Sequence, residues 1–331
     1  MHPGAANAGT GREVHMVMRR TCFLILIILS TVVGCQDKLD ESVTTEAEIR
    51  TRLVSSQISL GNVSPEFFAY NMASNSLTII SRSENLYKIY RLDGNKNIQD
   101  PDIHWRIPKD YSLDNFAHSP DGSLYAVLKH YDKKGKTRQS IVLLQNNGSY
   151  RNISLKGLND IPNTKMDSYI KKKDKKSDRS ITDMRFYGTA LAVTYSNYAV
   201  KFYNISEGMP LGDTGITGAP GRNIFYEHYF ITTGLTYGHE DILHYYDIRN
   251  GEKLNSVRLE KLLCVSNYRE KIYLLTEDNI LSGSIDSNEF QTTVSIRGLD
   301  LPSRTDIELF ATREDGLYLV CRDILYWIDL S

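Results

Sequence analysis

Four short strand-like runs, separated by turn residues, recur as a unit along most of this chain. From Ile181 the runs are ITDMRFYG, ALAVTYS, YAVKFYNI and PLGDTGI, and comparable sets begin at Phe67, Asn115, Asn223 and Leu262. The runs alternate in polarity and are rich in tyrosine, valine and isoleucine, which favours β-strands over helices. The last units begin about 40 residues apart, and a four-stranded unit at this spacing predicts the blades of a β-propeller.

The final unit is one strand short. It has three runs, DIELFAT, GLYLVCR and DILYWIDL, before the sequence ends at Ser331. A three-stranded last blade would leave a gap in the ring. The segment from Arg52 to Leu60 alternates polar and apolar residues, and we expect it to supply the missing outer strand. The prediction is an all-β propeller of six four-stranded blades. Seven blades are the alternative if the segment between blades 2 and 3 contains another.

Several turns carry a family resemblance. SPDGSLYAV (119–127) resembles the turn between the first two strands in WD-repeat and TolB-like propellers. DILHYYDIRNGEKL (241–254) resembles the second half of a WD repeat, with Tyr246-Asp247 at the Trp-Asp position, and Tyr203-Asn204 matches it in VKFYNISEGMPL (200–211). No Trp-Asp pair is intact and no Gly-His pair opens a repeat. The resemblance therefore implies a propeller over residues 51–331 and no particular subfamily.

The residues before the repeats predict export and lipidation. Arg19 and Arg20 precede the apolar run CFLILIIL (22–29), which is shorter than the roughly 20 residues of a bilayer span and typical of a signal peptide. VVGC, ending at Cys35, resembles the bacterial lipobox, which implies a diacylglycerol on the Cys35 sulfur. An ordinary secretory signal with an incidental cysteine is the alternative. We expect an upstream extension and signal peptide in 1–34, the lipidated cysteine and a flexible tether in 35–50, and an extracytoplasmic propeller in 51–331. Because Gln36 is not the aspartate of inner-membrane retention, we expect the outer membrane in a host with two membranes.

The charge balance and the cysteines of the chain limit which partners and cross-links can be expected. Counted from Cys35, the chain has 36 basic and 39 acidic residues, whereas general nucleic-acid binders are basic, so we expect no nucleic-acid partner. Cys264 and Cys321 lie in apolar runs, which predicts buried free thiols, with a disulfide between them as the alternative. A lysine-rich segment (156–180) is interpreted as a solvated loop. A basic finger that contacts anionic lipid or an acidic partner is the second interpretation of that segment.

The sequence contains no recognisable catalytic, cofactor or metal motif, and we predict none. His239 and His244 fall at a predicted turn and on a predicted strand, and residues five apart on a strand would point to opposite faces. A calcium-like loop begins at Asp93 but has Ile98 at the turn-glycine position and His104 at that of the bidentate glutamate. What remains are side chains expected near the channel mouth, where we expect inter-blade hydrogen bonding rather than catalysis: His118, Asp183, Arg185, Tyr226 and Asp306.

Three functions fit these features. The leading hypothesis is a lipid-anchored propeller that binds another protein of the bacterial cell envelope as a scaffold. The second is a propeller enzyme, a hydrolase or lyase for glycan or peptide, with its site at the channel mouth. The third is a small-ligand sensor with aromatic walls. The fold alone does not choose among them.

Overall fold

The chain is an all-β, six-bladed propeller, as the repeats predict. A computed structural model describes residues 55–93, 95–131, 137–165, 167, 179–212, 214–233, 240–287, 289–296, 307–313 and 316–330. Within these ranges 24 strands form six antiparallel sheets of four strands each. The sixth sheet contains both the first and the last of these described strands.

The first strand in the chain is β1 (Ser55–Ile58), which belongs to blade 6. Blade 1 consists of β2 (Phe67–Asn71), β3 (Ser76–Ser83), β4 (Leu86–Leu92) and β5 (Ile98–Arg106). Blade 2 consists of β6 (Tyr111–His118), β7 (Leu124–Tyr131), β8 (Thr137–Leu144) and β9 (Tyr150–Ile153). Blade 3 consists of β10 (Ile181–Tyr187), β11 (Ala190–Tyr195), β12 (Val200–Asn204) and β13 (Met209–Gly212).

Blade 4 consists of β14 (Asn223–Tyr226), β15 (Tyr229–Thr233), β16 (Glu240–Asp247) and β17 (Glu252–Glu260). Blade 5 consists of β18 (Leu262–Tyr268), β19 (Lys271–Thr276), β20 (Asn279–Ser284) and β21 (Gln291–Ser295). Blade 6 consists of β22 (Ile307–Ala311), β23 (Gly316–Cys321), β24 (Ile324–Asp329) and β1.

Burial falls from the second strand of each blade to the fourth. The second strands β11, β19 and β23 are almost wholly buried, because neighbouring blades cover both of their faces. The outer strand β13 is exposed along its length. The first strands β2, β6, β10, β14, β18 and β22 contact one another in sequence around the ring, so they line its central channel.

The two ends of the described chain close the ring. Strand β1 pairs with β24, from Ser55 opposite Ile328 to Ile58 opposite Leu325. Ile58 is 7% exposed and joins Trp327 in a core cluster that also contains residues of blade 1. The prediction that an N-terminal strand completes the last blade is confirmed.

The WD-like stretches form one repeated turn. In blade 3 the side chain of Asn204 accepts a hydrogen bond from the N–H of Ser206, and the N–H of Gly208 donates to the Asn204 carbonyl oxygen. Asp247 and Gly251 make the equivalent bonds in blade 4. Gly208 has a φ of +68°, which favours glycine, and a Cβ there would lie 2.3 Å from a backbone oxygen. The Asn or Asp with a glycine four residues later therefore sets the turn before the fourth strand.

Candidate binding site in the central channel

An ion pair lies on the inner strand of blade 3. Alternate residues of a strand share a face, so Asp183 and Arg185 of β10 point the same way. The Nε of Arg185 lies 3.2 Å from Asp183 Oδ1. The Arg185 side chain is 34% exposed, whereas that of Asp183 is 11% exposed. The carboxylate is thus set in the wall, and part of the guanidinium stays accessible in the channel.

Asp183 is anchored to the neighbouring blade by Asn223, the first residue of β14. The amide of Asn223 donates to Asp183 Oδ2 at 3.0 Å and to Thr194 Oγ1 at 3.0 Å. Its carbonyl oxygen accepts from Thr232 Oγ1 at 2.6 Å. Asn223 is 2% exposed, so these bonds satisfy polar groups that would be costly to bury alone. The network fixes Asp183, and through it Arg185, at the interface of blades 3 and 4.

Glu308 faces this pair from β22, the inner strand of blade 6, on the opposite side of the six-membered ring. Its neighbours Ile307 and Leu309 are buried while Glu308 is exposed, so its carboxyl meets the water of the channel. The surrounding blades partly desolvate the Glu308 carboxyl. This desolvation disfavours the charged form and raises the pKa of Glu308 to about 7. Arg185 opposes this rise and Asp183 adds to it.

Glu308 is the site residue that sequence reasoning missed. The sequence prediction named Asp306, two residues earlier, and Asp306 lies outside the described residues. The available signal was a carboxylate between two apolar residues in the inner-strand run DIELFAT. Such a residue interrupts an otherwise buried strand, which indicates that its side chain points into a solvent-filled space.

His118, another predicted channel-mouth residue, joins blades 1 and 2. Its Nδ1 lies 3.0 Å from the Gly122 carbonyl oxygen, and its Nε2 lies 2.9 Å from Thr78 Oγ1. A carbonyl can only accept, so Nδ1 carries the proton and the Thr78 hydroxyl donates to Nε2. Burial lowers the pKa of His118 to about 4, so the ring is neutral at physiological pH. The geometry is that of an inter-blade hydrogen-bonding group.

Tyrosines occupy the last or second-to-last position of four of the six inner strands, at the edge where each first strand turns into the second. We call this set the tyrosine mouth: Tyr70, Tyr187, Tyr226 and Tyr268. All four are half-buried. The rings of Tyr187 and Tyr226 meet edge to face with centroids 5.0 Å apart.

Electrostatic contacts link the rest of the tyrosine mouth. Tyr226 interacts electrostatically with Arg269 and Glu270, which form the turn that directly follows Tyr268. Burial, with smaller contributions from Tyr318 and Tyr268, raises the pKa of Tyr70 to about 12. The four tyrosines therefore surround one opening of the channel, and Tyr226 is the predicted site residue among them.

Cys264 lies in the channel wall near Arg185 and Glu308. Burial raises the pKa of its thiol to about 11, and that of Cys321 also to about 11. Both cysteines are free and buried, as predicted. Thiols with such pKa values are protonated at neutral pH, and a protonated thiol is a poor nucleophile.

The described side chains of the channel combine a guanidinium with a carboxyl whose pKa is raised. Arg185 supplies a fixed positive charge, and Glu308 exchanges its proton near neutral pH. Within the described ranges, no group of three or more His, Cys, Asp or Glu side chains is placed to hold a metal ion. In the same ranges, no helix has the length and apolar character needed to cross a bilayer. Cys35 lies outside the described residues.

Comparison with known proteins supports the architecture. No protein-family model and no curated protein matches the sequence. The soluble aldose sugar dehydrogenase of Escherichia coli matches with a TM-score of 0.50 and 10% identity, over 84% of this chain and 99% of that one. A glucose dehydrogenase matches with a TM-score of 0.50 and 12% identity, over 83% and 99%.

A third solved structure extends well beyond the matched region. PorZ, an essential bacterial surface component of the type-IX secretion system of Porphyromonas gingivalis, matches with a TM-score of 0.44 and 13% identity, over 83% of this chain. This chain spans 33% of the length of PorZ. At these identities the likeness is one of fold alone.

Proposed function

We propose that this protein is a lipid-anchored binding module of the bacterial cell envelope, which receives a protein partner at the tyrosine mouth. The observation that carries the proposal is the convergence of four half-buried tyrosines on one opening of the channel. Each ring packs one side against the core and leaves an amphipathic edge toward solvent.

Tyrosine suits this role for physical reasons. It offers a large contact area with few rotatable bonds, and its hydroxyl hydrogen-bonds at a wet interface. Tyrosine and arginine are enriched at interface hot spots. Arg269 is exposed next to Tyr268 and adds a charge at the rim of the opening. A ring of fixed aromatic edges with a neighbouring arginine favours a protein surface as partner.

The anchor completes the proposal. Cys35 carries the lipid and residues 36–54 connect it to β1 at the outer edge of blade 6. Nineteen residues reach at most about 65 Å when extended. The anchor would therefore keep the propeller near the membrane surface, where a partner of the cell envelope is available.

The test is site-specific photocrosslinking in the native envelope. A benzoylphenylalanine replaces Tyr226 in the full-length chain, and the same replacement at Tyr150 is the matched control. Tyr150 is also half-buried but lies on the outer strand β9, away from the channel. We expect one defined protein adduct from position 226, absent at position 150 and suppressed by Tyr187→Ala. Identical adduct patterns at both positions, or no protein adduct at position 226, would contradict the proposal.

The anchor has its own test. Metabolic labelling with palmitate is compared in the wild-type chain and in Cys35→Ala, followed by separation of membrane and soluble fractions. We expect the label and the membrane association to be lost together in the variant. An unlabelled wild-type chain would refute the anchor and leave the crosslinking result standing.

A second candidate function rests on Glu308. A carboxyl with a pKa of about 7 on the inner strand opposite the Arg185 guanidinium is suited to general acid–base chemistry, which favours a hydrolase or lyase acting in the channel. Wild type and Glu308→Gln are assayed for turnover on panels of glycans and peptides. Turnover by the wild type that the variant loses would favour the enzyme over the scaffold.

A further inference from the structure

A solvent-accessible cleft of about 410 Å³ lies between blades 1 and 2. It lies beside His118, on the side of the ring where the first strands turn into the second. Pockets for small molecules begin at about 300 Å³, so this space is large enough for a compact organic ligand. Neither the Asp183–Arg185 pair, nor Glu308, nor any residue of the tyrosine mouth lines it.

Aromatic rings pack at the interface of blades 1 and 2, as they do between blades 3 and 4. Between blades 3 and 4, Phe202 contacts Phe225 at 5.7 Å and Phe230 at 5.2 Å, and these rings occupy the interface. Between blades 1 and 2, Phe116 packs against Phe67 at 5.0 Å and Tyr87 at 6.2 Å. The cleft beside these rings is bounded by aliphatic side chains, one indole and a set of polar side chains.

The walls of the cleft are mixed, because six apolar and eight polar residues line it. The apolar residues come from β4 and β5 of blade 1 and from β7 and β8 of blade 2, and include Ile89, Ile103, Trp105, Leu124 and Leu144. Trp105 is 2% exposed, and its Nε1 donates to the Gln145 carbonyl oxygen at 3.0 Å. This bond joins the two blades at one side of the cleft, and the His118–Thr78 bond joins them at the other. The walls are therefore held apart at a fixed width.

The cleft has one permanent cation and one carboxylate among its lining residues, Arg91 and Asp121. Asp121 is engaged by its own turn, because one of its oxygens accepts from Ser119 Oγ at 2.5 Å and from the N–H of Ser123 at 3.0 Å. Arg91 is exposed and lies on the same face of β4 as buried Ile89. Its guanidinium is therefore the charge placed to meet a ligand whose body rests on the apolar walls.

We propose that the cleft between blades 1 and 2 binds a small amphipathic carboxylate, with its anionic group on Arg91 and its apolar body against Ile89 and Trp105. Arginine presents a fork of N–H donors that matches a carboxylate. The apolar part of the walls supplies burial for the body of the ligand, and the bonds that join the two blades limit the ordering cost. This inference does not depend on the protein partner at the tyrosine mouth.

Trp105 provides the readout. The chain has two tryptophans, and Trp327→Phe leaves Trp105 as the only indole. In that background, Trp105 emission is titrated with 4-phenylbutyrate, 4-phenylbutyramide and 4-phenylbutylamine, which share one apolar body and differ in charge. We expect a saturable change with the carboxylate and weaker binding of the amide and the amine.

Two charge-reversal variants locate the recognition. Arg91→Glu is compared with Lys88→Glu, which makes the same change of net charge at an exposed position on the opposite face of β4. Loss of one charge-assisted hydrogen bond predicts about tenfold weaker 4-phenylbutyrate binding in R91E, and less than about twofold in K88E because screening weakens remote charges. Arg91→Lys keeps the charge and should fall between them.

Three results would overturn the proposal. The first is the absence of a saturable Trp105 response to 4-phenylbutyrate. The second is tighter binding of the amine than of the carboxylate, which would assign recognition to Asp121. The third is an equal loss of affinity in R91E and K88E. Any of these can occur whether or not a partner crosslinks to position 226, so the two proposals fail separately.

Discussion

Replacing Glu308 by glutamine should stabilise the propeller at alkaline pH and leave its stability unchanged in acid. The pKa of Glu308 is raised from 4.5 to about 7 in the folded state. Between these values the folded state holds the proton more often than the unfolded state does. The free energy of unfolding therefore falls as pH rises through this window. The amide side chain of the variant would be neutral throughout and would not show this loss.

The magnitude follows from the size of the shift and the position of the side chain. A shift from 4.5 to about 7 corresponds to an upper limit of about 3 kcal/mol. Glu308 is exposed to water in the channel, and solvent screening reduces such a term, so we expect about 1 kcal/mol at pH 8. For a domain of this size that gain corresponds to an increase in Tm of about 2 °C.

Urea unfolding of wild type and E308Q at pH 4 and pH 8 measures this difference. Glu207→Gln, at an exposed turn of blade 3, is the matched control and should behave as the wild type at both pH values. A pH-independent difference between E308Q and wild type, or a loss of stability in E308Q at pH 8, would refute the argument. The second result would mean that attraction to Arg185 outweighs desolvation.

Three further predictions concern buried groups. Asn223→Ala removes the shared partner of two threonines and a carboxylate and should cost about 2–3 kcal/mol in urea unfolding; a loss below about 0.5 kcal/mol would show that water replaces it. Cys264 and Cys321 should resist alkylation at pH 8 in the native state and react in urea, as followed by mass spectrometry; rapid native labelling would contradict their burial. Gly316→Ala would place a Cβ 2.2 Å from the rigid ring of Trp327 and should cost about 2 kcal/mol in Tm-derived stability; an unchanged Tm would show that the indole can move.

The architecture could be predicted because a propeller repeats a local pattern. Each of blades 1 to 5 is a meander whose four strands follow one another in the chain, so the pattern of strands and turns suffices to identify it. The pairing of β1 with β24, which joins strands far apart in the chain, was predictable as well. The last unit lacked a strand, and residues 52–60 alternate polar and apolar side chains. The Asn or Asp and glycine of the third turn were also visible in the sequence.

The site was harder to predict because it depends on distances between blades. Asp183 and Arg185 are neighbours on one strand, but Glu308 reaches them across the ring, at a separation that no local pattern encodes. The tyrosine mouth arises from the shared ends of inner strands, which became definite only with the strand boundaries. The cleft beside Trp105 depends on how two blades pack, and packing density is not readable from polarity.

The central claim is that one closed ring, completed by its own N-terminal strand, holds the channel and the tyrosine mouth in place. Urea unfolding of Ile58→Asp and Ser59→Asp tests it most directly. Ile58 is buried against blades 6 and 1, whereas Ser59 is exposed. We predict a loss of about 3 kcal/mol or more for I58D, because a buried unpaired charge opens the ring, and less than about 0.5 kcal/mol for S59D. Unfolding curves for I58D and S59D that both superimpose on the wild type would contradict the closed ring.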